Sequence, residues 1–180
     1  MFISRVLKDK NIAEYLIYMW QVEDLIRAND FDIKKIDEHI ISKFNLNEAQ
    51  GKEMLKWYED LINMMKEEGV MDKGHLQINK NIITWLTDLH LQLLGSPKFP
   101  YYSAAYYNCL PFIVELRAKG ADKDEPELET CFEALYGILL LKLQDKEIGQ
   151  ETAKAQKAIS AFLGMLANYY IEDKKGELDI

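Results

Sequence analysis

The chain has 180 residues, of which 48% are apolar and 29% are charged, and its formal net charge is −8. These values are ordinary for one globular domain and exclude wholesale disorder. Because no segment carries the local excess of lysine and arginine that binding to phosphates requires, we expect no nucleic-acid partner.

The sequence favours a cytoplasmic protein that does not enter a membrane. Cys109 and Cys131 lie in apolar helical segments, as buried thiols of a reducing compartment do. The first ten residues lack the continuous apolar region of a signal peptide. The most apolar runs, 15–20 and 137–141, are far too short to cross a bilayer.

Apolar residues at helical spacing, separated by glycine, proline and capping residues, predict seven helices and no strand. The first covers about 11–28 and is apolar well past one face, which indicates a central, buried helix. The next two follow Asp32 and Asn47, and Asn47 with Gln50 matches a capping box. The other four are expected over about 79–94, 100–119, 126–144 and 150–171.

These elements predict an all-α fold, a single bundle of about seven helices whose short connections make sequential helices antiparallel. We assign residues 1–171 to one helical domain and residues 172–180 to a charged, frayed tail. Pro111 lies inside the fifth helix, where the lost hydrogen bond to the Tyr107 carbonyl predicts a kink.

The sequence lacks the residue spacings that catalysis and metal binding usually require. No histidine has a glutamate three residues before it, as di-iron bundles need, and no Cys or His pair has zinc-site spacing. Asp72 and His75 are three apart, but Gly74 between them indicates a turn. We therefore predict no metal, no cofactor and no catalytic residue, which leaves open whether the protein is an enzyme.

Charged residues in the apolar first helix form another candidate group. An unpaired carboxylate is costly to bury, and Arg27 is spaced to neutralise either Glu23 or Asp24. We interpret these residues first as an ion pair that stabilises the helix, and second as polar groups of a ligand site.

Tyrosines crowd the start of the fifth helix, where Tyr102 and Tyr106 share a face. Tyrosine suits both ligand pockets and protein interfaces, although aromatic rows at helical spacing more often belong to the core. With the acidic surface and the missing catalytic motifs, this pattern favours a non-catalytic helical scaffold that binds a protein partner or itself.

The alternative function is a small-molecule-binding protein, conceivably an enzyme, with a pocket near Pro111. Tyr102 and Tyr106 would form the aromatic walls of that pocket. Its polar groups would come from Glu115, Arg117, Glu23 and Arg27.

Four segments of the chain carry a resemblance to known sequences: Asn11–Arg27, Gly74–Asn79, Leu110–Lys119 and Glu129–Tyr136. Each resembles part of an uncharacterised bacterial family of all-helical proteins of about this length. The resemblance extends over nearly the whole chain and implies a stand-alone helical domain. It implies no activity, cofactor or catalytic residue.

Overall fold

A computed structural model describes residues 2–119 and 126–180, and in these residues it contains eight α-helices and no strand. The helices are α1 (Phe2–Lys10), α2 (Ile12–Ala28), α3 (Ile33–His39), α4 (Glu48–Glu67), α5 (Gln77–Gly95), α6 (Pro100–Lys119), α7 (Glu127–Leu143) and α8 (Gln150–Lys175). A short 3-10 turn, Ile41–Lys43, follows α3. The predicted all-α class is confirmed, and no helix in these two ranges has the length and apolar character needed to cross a membrane.

The predicted number of helices, about seven, was wrong, because the first residues form the additional helix α1. This helix packs against α2, yet Ile3 and Val6 remain 39% and 50% exposed. Only Ser4 among its described side chains is buried. The apolar residues of α1 do follow a helical spacing, but a segment of nine residues gives only a short pattern from which to predict a helix.

Helix α2 is the centre of the molecule, as its sequence predicted. It contacts α1, α4, α5, α7 and α8, and more than half of its side chains are buried. Its first turn begins at Asn11, whose side-chain oxygen accepts hydrogen bonds from the N–H groups of Ala13 and Glu14. Any polar side chain on the inner face of α2 must therefore find its partners within the protein.

The helices α4 and α5 begin in different ways. At α4 the predicted capping box is present: Asn47 Oδ1 accepts from the Gln50 N–H at 2.9 Å, and Gln50 Oε1 accepts from the Asn47 N–H at 3.0 Å. At α5 the residue before the helix is Leu76, which has no side chain able to cap it. A distant residue supplies that cap.

The C-terminal half of the chain is built around α6, which packs against α5, α7 and α8. This helix runs without a break through Pro111, and both the predicted kink there and the antiparallel order of the helices stay predictions. Helix α8 continues to Lys175, and the left-handed Gly176 (φ 70°) ends it. The residues assigned to a frayed tail thus begin as helix, and Leu178 packs against the core.

Candidate functional site

The cap of α5 is Glu23 of α2, a carboxylate with no exposed surface. Its Oε1 accepts hydrogen bonds from the Leu76 N–H at 3.0 Å and from Asn79 Nδ2 at 2.7 Å. Its Oε2 accepts from His75 Nδ1 at 2.6 Å. Three donors and the positive end of the α5 dipole hold this charge in the interior, in the way a buried carboxylate requires.

His75 is fixed on two sides. Its ring stacks on Trp20 with the ring centroids 4.0 Å apart and the planes 10° from parallel. Since an ionised carboxylate only accepts, His75 donates its Nδ1 proton to Glu23. Among the described residues nothing hydrogen-bonds Nε2, and 19% of the side chain is exposed.

Arg27 holds the chain between α4 and α5 in place. Its guanidinium donates to the carbonyl oxygens of Met71 at 3.3 Å, Val70 at 3.0 Å and Gly74, and to Asp24 Oδ1 at 2.8 Å. One side chain thus organises the segment 70–74 that leads to His75. Gly74 has a φ of 84°, a left-handed conformation that favours glycine, so the turn predicted there is confirmed.

Tyr136 of α7 completes the cluster from the opposite side. Its hydroxyl donates to Asp24 Oδ2 at 2.6 Å, and its ring lies edge-on to Trp20 at a centroid distance of 5.8 Å. Burial raises the pKa of the Tyr136 hydroxyl, and the hydrogen bond to Asp24 raises that pKa further. The hydroxyl is therefore protonated at neutral pH and serves as a donor to Asp24.

Two neighbouring concave surfaces meet at Asp24 and Tyr136. The first, which we call the polar cleft, has a volume of about 390 Å³ and is lined by Trp20, Asp24, Arg27, Asp72, Lys73, Gly74, His75, Glu133, Tyr136 and Gly137. The second, the apolar groove, has a volume of about 340 Å³ and is lined by Ile3, Tyr18, Gln21, Val22, Asp24, Leu25, Ala28, Ile40, Phe44, Tyr58, Tyr136, Leu140 and Leu143. We take the two together as the candidate site.

Of the six side chains predicted as site candidates, Glu23 and Arg27 belong to this region. The structure pairs Arg27 with Asp24, whereas Glu23 binds His75, Asn79 and the Leu76 N–H. Of the two ion pairs that the sequence left open for Arg27, the structure contains the one with Asp24.

The predicted tyrosines lie elsewhere, in an aromatic cluster of α5, α6 and α8. Tyr102 is fully buried, its hydroxyl lies 2.6 Å from His90 Nδ1, and its ring packs against Phe162. Tyr106 is partly buried and donates to Glu127 Oε2 at 2.7 Å. Burial lowers the pKa of His90, although Glu127 acts in the opposite direction. Tyr102 therefore packs in the core, and Tyr106 lies at its edge.

The other two candidates, Glu115 and Arg117, lie towards the end of α6. Glu115 forms an exposed ion pair with Lys119, and Arg117 lies 3.7 Å from Glu127. A concavity of about 190 Å³ near Pro111 is lined by Glu115, and the residues around it include neither Tyr102 nor Tyr106. The structure thus places Glu23 and Arg27 apart from the other four predicted residues, of which Tyr106 and Arg117 share Glu127 as a partner.

Sequence reasoning missed His75 and Tyr136 as parts of one site. His75 is 52 positions from Glu23, and Tyr136 is 112 positions from Asp24. Neither helical spacing nor a short motif relates residues so far apart. The one local signal was the turn at Gly74. In the described ranges no three His, Cys, Asp or Glu side chains are grouped so that they could hold a metal ion.

The comparisons with known proteins place this all-helical chain in a family. The model of the family described as Domain of unknown function (DUF4924) matches residues 1–177, so the chain belongs to that family. This agrees with the resemblance to a helical family of unknown function. No curated protein and no solved structure matches the chain significantly.

Proposed function

We propose that the protein binds a small molecule that has an apolar body and a polar head. The body lies in the apolar groove and the head in the polar cleft. The observation that supports this proposal is that Asp24 and Tyr136 line both surfaces, so one molecule can contact the two at once. Each volume, about 340 and 390 Å³, is in the range of ligand pockets, roughly 300–1,000 Å³.

The polar side of the site is held in place before any ligand arrives. Glu23 fixes the orientation of His75, and Arg27 fixes the segment 70–74 through three carbonyl oxygens. A site whose groups are already positioned spends less binding free energy on ordering them. The same contacts stabilise the fold, and the positioned polar groups in addition support ligand binding.

Native mass spectrometry of freshly purified protein tests the proposal. We expect a monomer that carries a reproducible added mass. Leu143→Ser should reduce the occupied fraction, because Leu143 lines the groove and is 64% exposed, so its loss costs little stability. Leu91→Ser is the matched control, since Leu91 is 60% exposed and lines neither the groove nor the cleft.

A second measurement, of the melting temperature with added amphiphiles, tests the proposal if the natural ligand is lost during purification. Eight-carbon amphiphiles should raise the melting temperature of the wild-type protein and of Leu91→Ser, and raise that of Leu143→Ser less. If the native spectra contain no added mass and no amphiphile changes the melting temperature, the proposal is wrong.

Self-association is the second candidate function, and one observation favours it. On α6 the side chains of Tyr107 and Val114 are 63% and 59% exposed and lie seven residues apart, with exposed Pro111 between them. Apolar residues at this spacing form the contact face of packed helices. A dimer without added mass that is lost in Tyr107→Ser/Val114→Ser would favour this scaffold function over ligand binding.

We also propose a cytoplasmic location and a bacterial source. Cys109 and Cys131 are both buried and free, which supports a reducing compartment. Redox titration of the two thiols in intact cells tests the location. The bacterial source rests on the resemblance described above.

A further inference from the structure

We infer that the head group bound in the polar cleft is a protonated amine, so that the ligand is an aliphatic amine. This inference rests on the proposed ligand-binding function and specifies the chemical class of the ligand. The hydrogen-bonding capacity and the charge of the residues that line the cleft favour this head group.

Most side-chain hydrogen-bond donors of the cleft are already in use or buried. Arg27 donates to three carbonyl oxygens and to Asp24, and only 17% of its side chain is exposed. The Tyr136 hydroxyl donates to Asp24. The Nε1 group of Trp20 has no hydrogen-bond partner among the described residues, and it is buried. Apart from Lys73, a head group that needs to accept hydrogen bonds finds few side-chain donors here.

Asp24, in contrast, has acceptor positions open to the cleft. His75 Nε2 also bonds to no described residue, because its Nδ1 proton points to Glu23. The Asp24 side chain is 45% exposed and receives two hydrogen bonds, whereas an ionised carboxylate has about four lone-pair positions. An ammonium group, with three donors and no acceptor, matches this set.

The charges around the cleft favour the same head group. Asp24 and Asp72 line it, and the carboxylate of Glu23 lies behind His75. Among the described residues that line the cleft, the cations are Arg27, which is bound as described, and Lys73. Lys73 lies exposed on the segment 70–74. The remaining negative potential attracts a cation and repels an anion.

The apolar groove determines the other end of the ligand. It is lined almost entirely by apolar side chains, among them Leu25, Leu140 and Leu143, so it suits an unbranched alkyl chain. Burying each methylene group contributes about 0.8 kcal/mol, which is about fourfold in affinity. Affinity should therefore rise from n-hexylamine to n-octylamine.

Isothermal titration calorimetry with three eight-carbon probes tests the inference. At near-neutral pH we expect n-octylamine to bind roughly tenfold more tightly than n-octanol, a difference of about 1.4 kcal/mol. We expect n-octanoate to bind more weakly than both. Since the alkyl chain is the same, the differences report on the head group alone.

Two variants locate the effect. Asp24→Asn and Asp72→Asn each remove one negative charge from the lining, and each should weaken n-octylamine several-fold while n-octanol changes little. Glu48→Gln is the control, because Glu48 is 83% exposed and pairs with Lys52 on α4, outside the cleft and the groove. Asp72 is exposed, so Asp72→Asn provides the test if Asp24→Asn does not fold, and equal losses for amine and alcohol in Asp72→Asn would overturn the inference.

The inference and the proposed function fail in different ways. If n-octanoate binds as tightly as n-octylamine and Leu143→Ser weakens both, the head group is not an amine but the groove binds ligands. If no probe binds, or if Leu143→Ser affects none of them, the proposed function fails as well. Weaker binding of every probe in Leu143→Ser, together with a selective loss of n-octylamine in Asp72→Asn, supports both.

Discussion

The protein contains two histidines with similar hydrogen bonds and very different surroundings. His75 and His90 each place Nδ1 2.6 Å from a side-chain oxygen, the first from Glu23 and the second from Tyr102. His75 lies at the surface of the polar cleft, whereas His90 is 4% exposed and surrounded by aromatic rings of α6 and α8. The same contact thus belongs to an open site in one place and to the core in the other.

The difference shows what distinguishes a site from a well-packed interior. Around His90, the rings of Tyr102, Tyr106 and Phe162 pack against a side chain that is almost fully buried. Around His75, a buried carboxylate fixes one nitrogen and leaves the other without a hydrogen-bond partner among the described residues. We therefore expect substitutions in the aromatic cluster to change stability alone, and substitutions in the polar cluster to change both stability and binding.

The largest effect is expected at Tyr102. Tyr102→Ala should lower the free energy of unfolding by about 4 kcal/mol, because it removes a fully buried ring. Urea denaturation measures this loss, and Tyr107→Ala, at a side chain that is 63% exposed, should change stability by about 0.5 kcal/mol or less. Similar losses for both variants would mean that Tyr102 is not part of the core.

The next effect is expected at Glu23. Glu23→Ala should cost about 3 kcal/mol, because the Leu76 N–H, Asn79 and His75 lose their common acceptor in a buried place. Glu23→Gln keeps one acceptor oxygen and should recover part of the loss. Urea denaturation measures both losses of stability. If Glu23→Ala leaves the free energy of unfolding unchanged, the carboxylate is not needed to cap α5.

A smaller effect is expected at Arg27. Arg27→Ala should cost about 2 kcal/mol, because the carbonyl oxygens of the segment 70–74 lose a charged donor. Arg27→Lys should restore only part of this, since one ammonium group cannot replace a planar guanidinium that binds several oxygens. A loss below about 0.5 kcal/mol would be typical of a solvated surface pair and would contradict this role.

The smallest effect is the pH dependence that His90 contributes. Burial lowers the pKa of His90 in the folded state, so the unfolded chain binds its proton first as the pH falls. This contribution to stability is present above the unfolded pKa and is lost below it, by at most about 1.4 kcal/mol per pH unit. The stability deficit of His90→Gln relative to wild type should therefore shrink between about pH 7 and about pH 5.5. A deficit that grows towards acid would mean that His90 is charged in the fold.

Much of the fold could be predicted from the sequence because its signals are local. The capping box at Asn47, the turn at Gly74 and the wide apolar surface of α2 each depend on residues within one or a few turns. Helix α1 was missed because its nine residues give only a short pattern, and the predicted helix after Asp32 continues as a 3-10 turn once α3 ends at His39. The spacing of apolar residues after Asp32 does not distinguish an α-helix from a 3-10 turn.

The candidate site could be predicted only in part. Glu23 and Arg27 were noticed because charges in an apolar helix require partners. Arg27 pairs with Asp24, as helical spacing allows, but the other partners of both residues come from residues 70–79, which no spacing rule connects to α2. Tyr102 was predicted as a site residue because other tyrosines lie near it in the sequence. Aromatic residues at helical spacing occur both in cores and in pockets, so their spacing does not distinguish the two.

The cap of α5 also affects how the protein opens. At α4, the capping hydrogen bonds of Asn47 and Gln50 lie within one turn of the helix. The first turn of α4 can therefore unfold locally without breaking contacts to distant parts of the chain. At α5 the Leu76 N–H is bound by Glu23, more than fifty residues away, so this N–H is released only when α2 also departs. Hydrogen exchange should therefore protect the Leu76 amide close to the level of global unfolding, while the Gln50 amide exchanges through local fraying.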